Sequence, residues 1–145
     1  MPTFWKKKVT KSKGSKKTLE DWLSRYVRLR ATDVGGVCHC FTCHKTGHPK
    51  EFHDGHYVKR NRASLRHDPK NNQCQCPHCN GPLEGNAGVY ARKLDEVYGP
   101  GTSESLDAMG SLTGGLRGED IKHRSDHFRL KVRKELERTG VQKWW

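Results

Sequence analysis

Two C-x2-C pairs, Cys40-Phe-Thr-Cys43 and Cys76-Pro-His-Cys79, stand 32 residues apart and constrain this chain more than any other feature. A C-x2-C turn sets both sulfurs on one side of a tight loop, and two such turns complete a tetrahedral thiolate site for zinc. A redox C-x2-C of thioredoxin type needs a βαβ pattern around it, and neither pair has one. The start, Met1-Pro-Thr-Phe-Trp-Lys-Lys-Lys, has no apolar stretch after its charges, so it does not read as a secretory signal. A cytoplasmic location with reduced thiols is the expectation, and clustered reduced thiols hold metal more often than they form disulfides. Only 32% of the 145 residues are apolar, so a large core is excluded. Bound metal would supply folding free energy that a thin core lacks. Cys38 and Cys74 each stand two residues before a ligand pair. They read as alternate ligands, as partners of a second ion, or as free thiols.

The charge is uneven. The chain carries a formal +12, of which residues 1–30 hold ten Lys/Arg against two acids. A lysine-rich arm that includes Lys6, Lys7 and Lys8, leading into a helix, suits a polyanionic partner, and DNA is the partner expected. No apolar run approaches the ~18 residues that a membrane span needs.

Five segments follow from composition and periodicity. Residues 1–17 read as a disordered basic arm. Residues 18–36 hold an N-terminal helix over 18–31, with Thr18 as N-cap and Leu19, Trp22, Leu23, Tyr26 and Val27 on one apolar stripe. Residues 37–99 are the zinc-bound core, with Phe52 to Lys59 as a hairpin strand and Asn86 to Tyr98 as a helix. Residues 100–118, rich in Gly, Ser and Thr, read as a flexible linker. Residues 119–145 are a charged helix and tail, with Ile121, Phe128, Val132 and Leu136 on one face.

A four-thiolate zinc is structural and does no chemistry itself. The residues between the pairs carry the chemistry: His53-Asp54-Gly55-His56-Tyr57, then Lys59, Arg60, Arg62 and Arg66, then Asn71, with Asn80 directly after the last cysteine. His, Asp and Asn together suit a hard divalent cation plus an imidazole that takes a proton at neutral pH. In a strand, Asp54 and His56 point to one face.

This ordered set resembles the HNH, or ββα-metal, nucleases. More closely, Tyr26-Val-Arg-Leu-Arg, Cys38-His-Cys-Phe-Thr-Cys43, Gly55-His-Tyr57, Asn71, Gln75-Cys76, Cys79-Asn80, Gly85-Asn86, Tyr90, Leu94 and Tyr98-Gly99 are similar to the phage NinG (Rap) recombination endonucleases. The Cys79-Asn80 ending also resembles the junction resolvase endonuclease VII. The resemblance covers about residues 20–100 and implies a small α+β fold, with a zinc-stapled ββα-metal (HNH, treble-clef-like) core between flanking helices. It puts His56 on the general base, Asn71 on a residue that pins the hairpin loop, and Asn80 on a ligand of a catalytic Mg²⁺ or Mn²⁺. HNH enzymes carry the other ligand just before the base, where this chain has Gly55. Asp54 is the first candidate to replace it, His53 the second, with Glu84 able to serve through water. Lys59, Arg60, Arg62 and Arg66 would hold backbone phosphates.

The implied activity is metal-dependent endonucleolytic cleavage of branched recombination intermediates such as Holliday junctions or D-loops, in a phage protein acting inside a bacterial host. Two cuts at a symmetric junction suit a homodimer. Two rivals make different expectations. A sequence-directed HNH nickase or homing enzyme cuts linear duplex at one site. A non-catalytic zinc module binds nucleic acid and is indifferent to loss of His56.

Overall fold

The computed structural model describes residues 15–112 and 114–145. Lys6, Lys7 and Lys8, and most of the expected basic arm, lie outside the described residues. The first helix, α1 (Lys16–Arg30), begins earlier than the sequence suggests. Ser15, not Thr18, is its N-cap, its Oγ accepting from the Thr18 amide at 3.4 Å. Leu19, Leu23 and Val27 are fully buried, while Trp22 and Tyr26 pack against the same core. Two short antiparallel sheets follow. Strands β1 (Cys38–His39) and β2 (Thr46–Gly47) pair as Cys38↔Gly47 and His39↔Thr46. Strands β3 (His53–His56) and β4 (Asn72–Gln75) pair as His53↔Gln75, Asp54↔Cys74, Gly55↔Gln73 and His56↔Asn72.

β3 is shorter than the expected Phe52 to Lys59 because Asn71 takes over its far end. The Asn71 Oδ1 accepts from the Val58 amide at 2.7 Å, and its Nδ2 donates to the Val58 and Leu65 carbonyls at 3.0 and 3.2 Å. A side chain thus substitutes for the next rung of the ladder, and the backbone turns away through residues 59–70. Arg30, at the end of α1, pins the return of that loop by donating to the carbonyls of Pro69 and Asn72 and to Gln73 Oε1.

The hairpin runs directly into a single-turn helix, α2 (Pro77–Asn80), with Cys76 as its N-cap. α3 (Ala87–Tyr98) buries Tyr90 and Leu94, and Gly99 closes it. Over 100–118 the structure departs from the flexible linker suggested by composition. Thr102–Gly110 forms a helix, α4, docked on α3. Asp95 accepts from the Ser103 amide at 2.8 Å and from its hydroxyl at 3.0 Å, and Leu106 is buried with Leu65, Tyr90 and Leu94. The Pro100-Gly101 break that reads as the start of a linker is only the turn between two packed helices. Gly110 ends α4 against Val58, whose Cγ1 would lie 2.8 Å from an added Cβ. The last helix, α5 (Gly118–Thr139), buries Ile121, Phe128 and Val132 and packs along α1. Arg138 ties its end to α1 by donating to the Leu29 and Thr32 carbonyls at 3.1 and 2.7 Å.

The result is a small α+β fold with five α-helices and two small sheets among the described residues. No helix among them is long and apolar enough to cross a membrane.

Candidate metal centre and adjoining cavity

The first knuckle follows β1 and the second begins α2, and the Phe41 amide donates to the Cys74 carbonyl at 2.7 Å to hold them together. As a result the sulfurs of Cys40, Cys43, Cys76 and Cys79 all lie within 4.8 Å of one another. A tetrahedral zinc with ~2.3 Å bonds sets its sulfurs about 3.8 Å apart, so this donor set can hold that ion. Backbone amides already point at the sulfurs: Cys76 donates to Cys40 at 3.3 Å, Lys45 to Cys43 at 3.4 Å and Cys79 to Cys76 at 3.4 Å. Burial opposes ionisation of Cys40, but the amides of Cys76 and Thr42 outweigh it and bring the thiol down to about 7. Cys38 and Cys74 stay outside this cluster. Their sulfurs meet each other at 3.3 Å, fully buried.

A cavity of about 330 Å³ opens between β3 and α1. His53, Asp54 and His56 line it from the strand, Arg60 and Arg66 from the loop after it, and Glu20, Ser24 and Arg28 from the helix. The His56 Nε2 lies 3.1 Å from the Arg66 carbonyl. A carbonyl only accepts, so Nε2 carries the proton and Nδ1 keeps its lone pair. Burial, reinforced by the nearby Arg60, His67 and Arg66 charges and opposed by the carbonyl contact, holds the imidazole below its usual range. It is therefore neutral at neutral pH. Asp54 shares this face. Its Oδ1 is buried without a hydrogen-bond partner, and burial pushes its carboxyl up to about 7 against the pull of Arg30, Arg28 and Arg60.

Asn80 meets His53 rather than Asp54. The Asn80 side-chain amide and His53 Nδ1 are 3.2 Å apart. That is hydrogen-bond distance, and it sets the two side chains together as candidate ligands. His53 thus joins the cavity to the helix that follows the zinc knuckle, while Asp54 stays on the α1 side. Gly55 has its own physical cause. An added Cβ would fall 2.1 Å from Gln75 Oε1, and Gln75 is committed through its Nε2 to Thr42 Oγ1 at 2.9 Å and the Gly85 carbonyl at 2.8 Å. No side chain fits at the position before His56, which leaves His53 to reach Asn80.

Of the basic residues singled out in the sequence, Lys59 and Arg62 are exposed. Arg60 and Arg66 converge on Glu20, with contacts of 2.6 and 2.5 Å. Glu84 lies in the turn after α2 in a left-handed conformation, φ 51°. Sequence reasoning missed the contribution of α1. Glu20, Ser24 and Arg28 recur at i, i+4 and i+8, a polar row beside the apolar stripe, and that spacing is the signal that could have found them.

Among known protein families, the one described as Bacteriophage Lambda NinG protein matches residues 3–138. No curated protein and no solved structure matches the chain.

Proposed function

The chain belongs to the NinG family, and from that membership we propose that it is a metal-dependent endodeoxyribonuclease cutting branched DNA intermediates of phage recombination. In this reading β3, β4 and α2 are the ββα-metal unit of an HNH-type nuclease, stapled by zinc at Cys40, Cys43, Cys76 and Cys79. The observation that supports it most is the placement of His56, its Nε2 3.1 Å from the Arg66 carbonyl, in a cavity that Arg28, Arg60 and Arg66 also line.

His56 Nδ1 takes the proton of the attacking water, and the hydrogen bond from Nε2 to the Arg66 carbonyl fixes the ring. His53 and Asn80 would hold Mg²⁺ or Mn²⁺, which supplies stabilisation of the charge that develops on the departing 3′-oxygen. Asp54 remains on the α1 side as a cavity carboxylate that can accept from water. Arg60 and Arg66 grip the phosphodiester once it displaces Glu20, a carboxylate seated where phosphate oxygens would bind. Lys59, Arg62 and the basic residues Lys6, Lys7 and Lys8 extend that grip along the backbone. Such contacts read shape rather than sequence and give steeply salt-dependent affinity. A symmetric junction cut twice calls for a homodimer, and the setting is the cytoplasm of the bacterial host.

The test incubates purified protein with a four-way junction and with linear duplex, in Mg²⁺, Mn²⁺ or EDTA. Cleavage of the junction with either cation, leaving 5′-phosphate ends, none in EDTA, and none in zinc-loaded protein without added Mg²⁺ or Mn²⁺ is the expected result. Binding without any cleavage would leave only a zinc-dependent nucleic-acid-binding module. Preferred cleavage of linear duplex at one sequence would make it a site-directed nickase.

A further inference from the structure

The tail beyond α5 is not used by the chemistry above, and it builds an aromatic platform at the edge of the same cavity. Trp144 and Trp145 pack edge to face at 4.8 Å and fold back onto α1. The Arg25 guanidinium lies between two indoles, 4.7 Å from the Trp22 ring and 4.6 Å from that of Trp145. Arg28 lies 5.2 Å over Trp144, whose other neighbour is His48 at 5.8 Å. Trp145 remains 40% exposed. On α1, Arg25 and Arg28 are three residues apart and so lie on adjacent turns of one side of the helix. Arg28 also lines the cavity that holds His56, so the platform and the cavity share a wall.

We infer that this platform, Trp22, Trp144 and Trp145 with Arg25 and Arg28, is a binding site for unpaired nucleobases beside the cleavage cavity. An indole face stacks any base, and a guanidinium stacked on an indole keeps its N–H edges for a phosphate. Charge complementarity selects the occupant: two arginines and the neighbouring Lys143, in a chain of formal charge +12, favour a polyanion over an apolar peptide. A displaced or gapped strand, as in a D-loop, exposes such bases where intact duplex does not, so the platform adds a preference for recombination intermediates with single-stranded segments to the phosphate contacts. The tryptophan pair lies beyond the residues that match the family, 3–138, while Trp22, Arg25 and Arg28 lie within them. The inference rests on the nucleic-acid reading of the cavity.

The experiment measures binding, with zinc retained and no Mg²⁺ or Mn²⁺ added, to an intact duplex and to the same duplex carrying a short single-stranded gap. It compares wild type with Trp144→Ala/Trp145→Ala and with the conservative Trp145→Phe. The double alanine variant is expected to lose about ten-fold or more in affinity for gapped DNA. Its affinity for intact duplex should stay within about two-fold, and Trp145→Phe should retain most of the preference. A second measurement works on the intact platform: in a Trp5→Phe background, gapped DNA should quench indole emission and protect it from acrylamide, while intact duplex does neither. Equal loss on both DNAs, or unchanged emission on saturating gapped DNA, would show that the tail only packs on α1. Wild type that binds neither DNA would instead defeat the nucleic-acid reading itself.

Discussion

The two small cores of this protein are held by different means. One joins α1 and α5 to the knuckles, and cysteine sulfurs make up much of its centre: Cys38, Cys40, Cys74, Cys76 and Cys79 are buried among Leu19, Leu23, Val27, Phe52 and Phe128. The other, between the hairpin loop, α3 and α4, is a plain apolar cluster of Leu65, Tyr90, Leu94 and Leu106. In the first, four thiolates converge at a separation that a metal ion would satisfy and that four free thiols have little reason to hold. In the second, no sulfur takes part, and apolar burial stabilises the packing by roughly 25 cal/mol for each Å² removed from water, with hydrogen bonds such as Ser103–Asp95 beside it. The candidate site lies where they meet. Tyr90 reaches from the apolar cluster to the hairpin, its hydroxyl within reach of the Gly55 and Asn71 carbonyls at 2.8 and 3.1 Å.

That contrast sets the scale of each perturbation. Removing the zinc by chelation, or replacing Cys76 with serine, should cost on the order of 10 kcal/mol. That exceeds the stability of a domain this size, so the knuckles and the packing of α1 on α5 should melt together, as followed by near-ultraviolet circular dichroism. Retention of the folded signal in metal-free protein would mean that burial, not metal, holds the first core. Leu94→Ala should cost about 2–5 kcal/mol in denaturant titration while zinc content stays at one per chain; loss of zinc in this variant would join the two cores into one unit. Tyr90→Phe, which removes only the link between the cores, should cost about 1–2 kcal/mol, and junction cleavage should fall further than stability does because Gly55 precedes His56. Lys17→Ala breaks an exposed (i, i+4) pair with Asp21 at 3.0 Å and belongs to neither core. It should change stability by about 0.5 kcal/mol or less.

The cysteine-bearing half is the more legible one. Cysteine spacing announces its own geometry, and the stripes Leu19–Leu23–Val27 and Ile121–Phe128–Val132 follow helical periodicity, which places α1 and α5 to within a turn. The burial-held half is harder to read. α4 rests on a single buried leucine and the Ser103–Asp95 hydrogen bonds, too few apolar positions to raise a periodic signal above its Gly, Ser and Thr content. Within the site, strand alternation is enough to put Asp54 and His56 on one face. The meeting of His53 with Asn80 depends on how α2 packs against the start of β3 and on Gln75 filling the space over Gly55, both tertiary facts. The same holds for Glu20, whose partners Arg60 and Arg66 are 40 or more residues away in sequence.

The most direct test of the central claim is single-turnover cleavage of a four-way junction in Mg²⁺ by His56→Ala and by wild type, at protein concentrations giving equal junction occupancy. The account predicts a fall of about 10²–10⁴-fold in the cleavage rate, with zinc content and junction affinity unchanged. Cleavage by His56→Ala at the wild-type rate would contradict it, and would move the chemistry away from the cavity between β3 and α1.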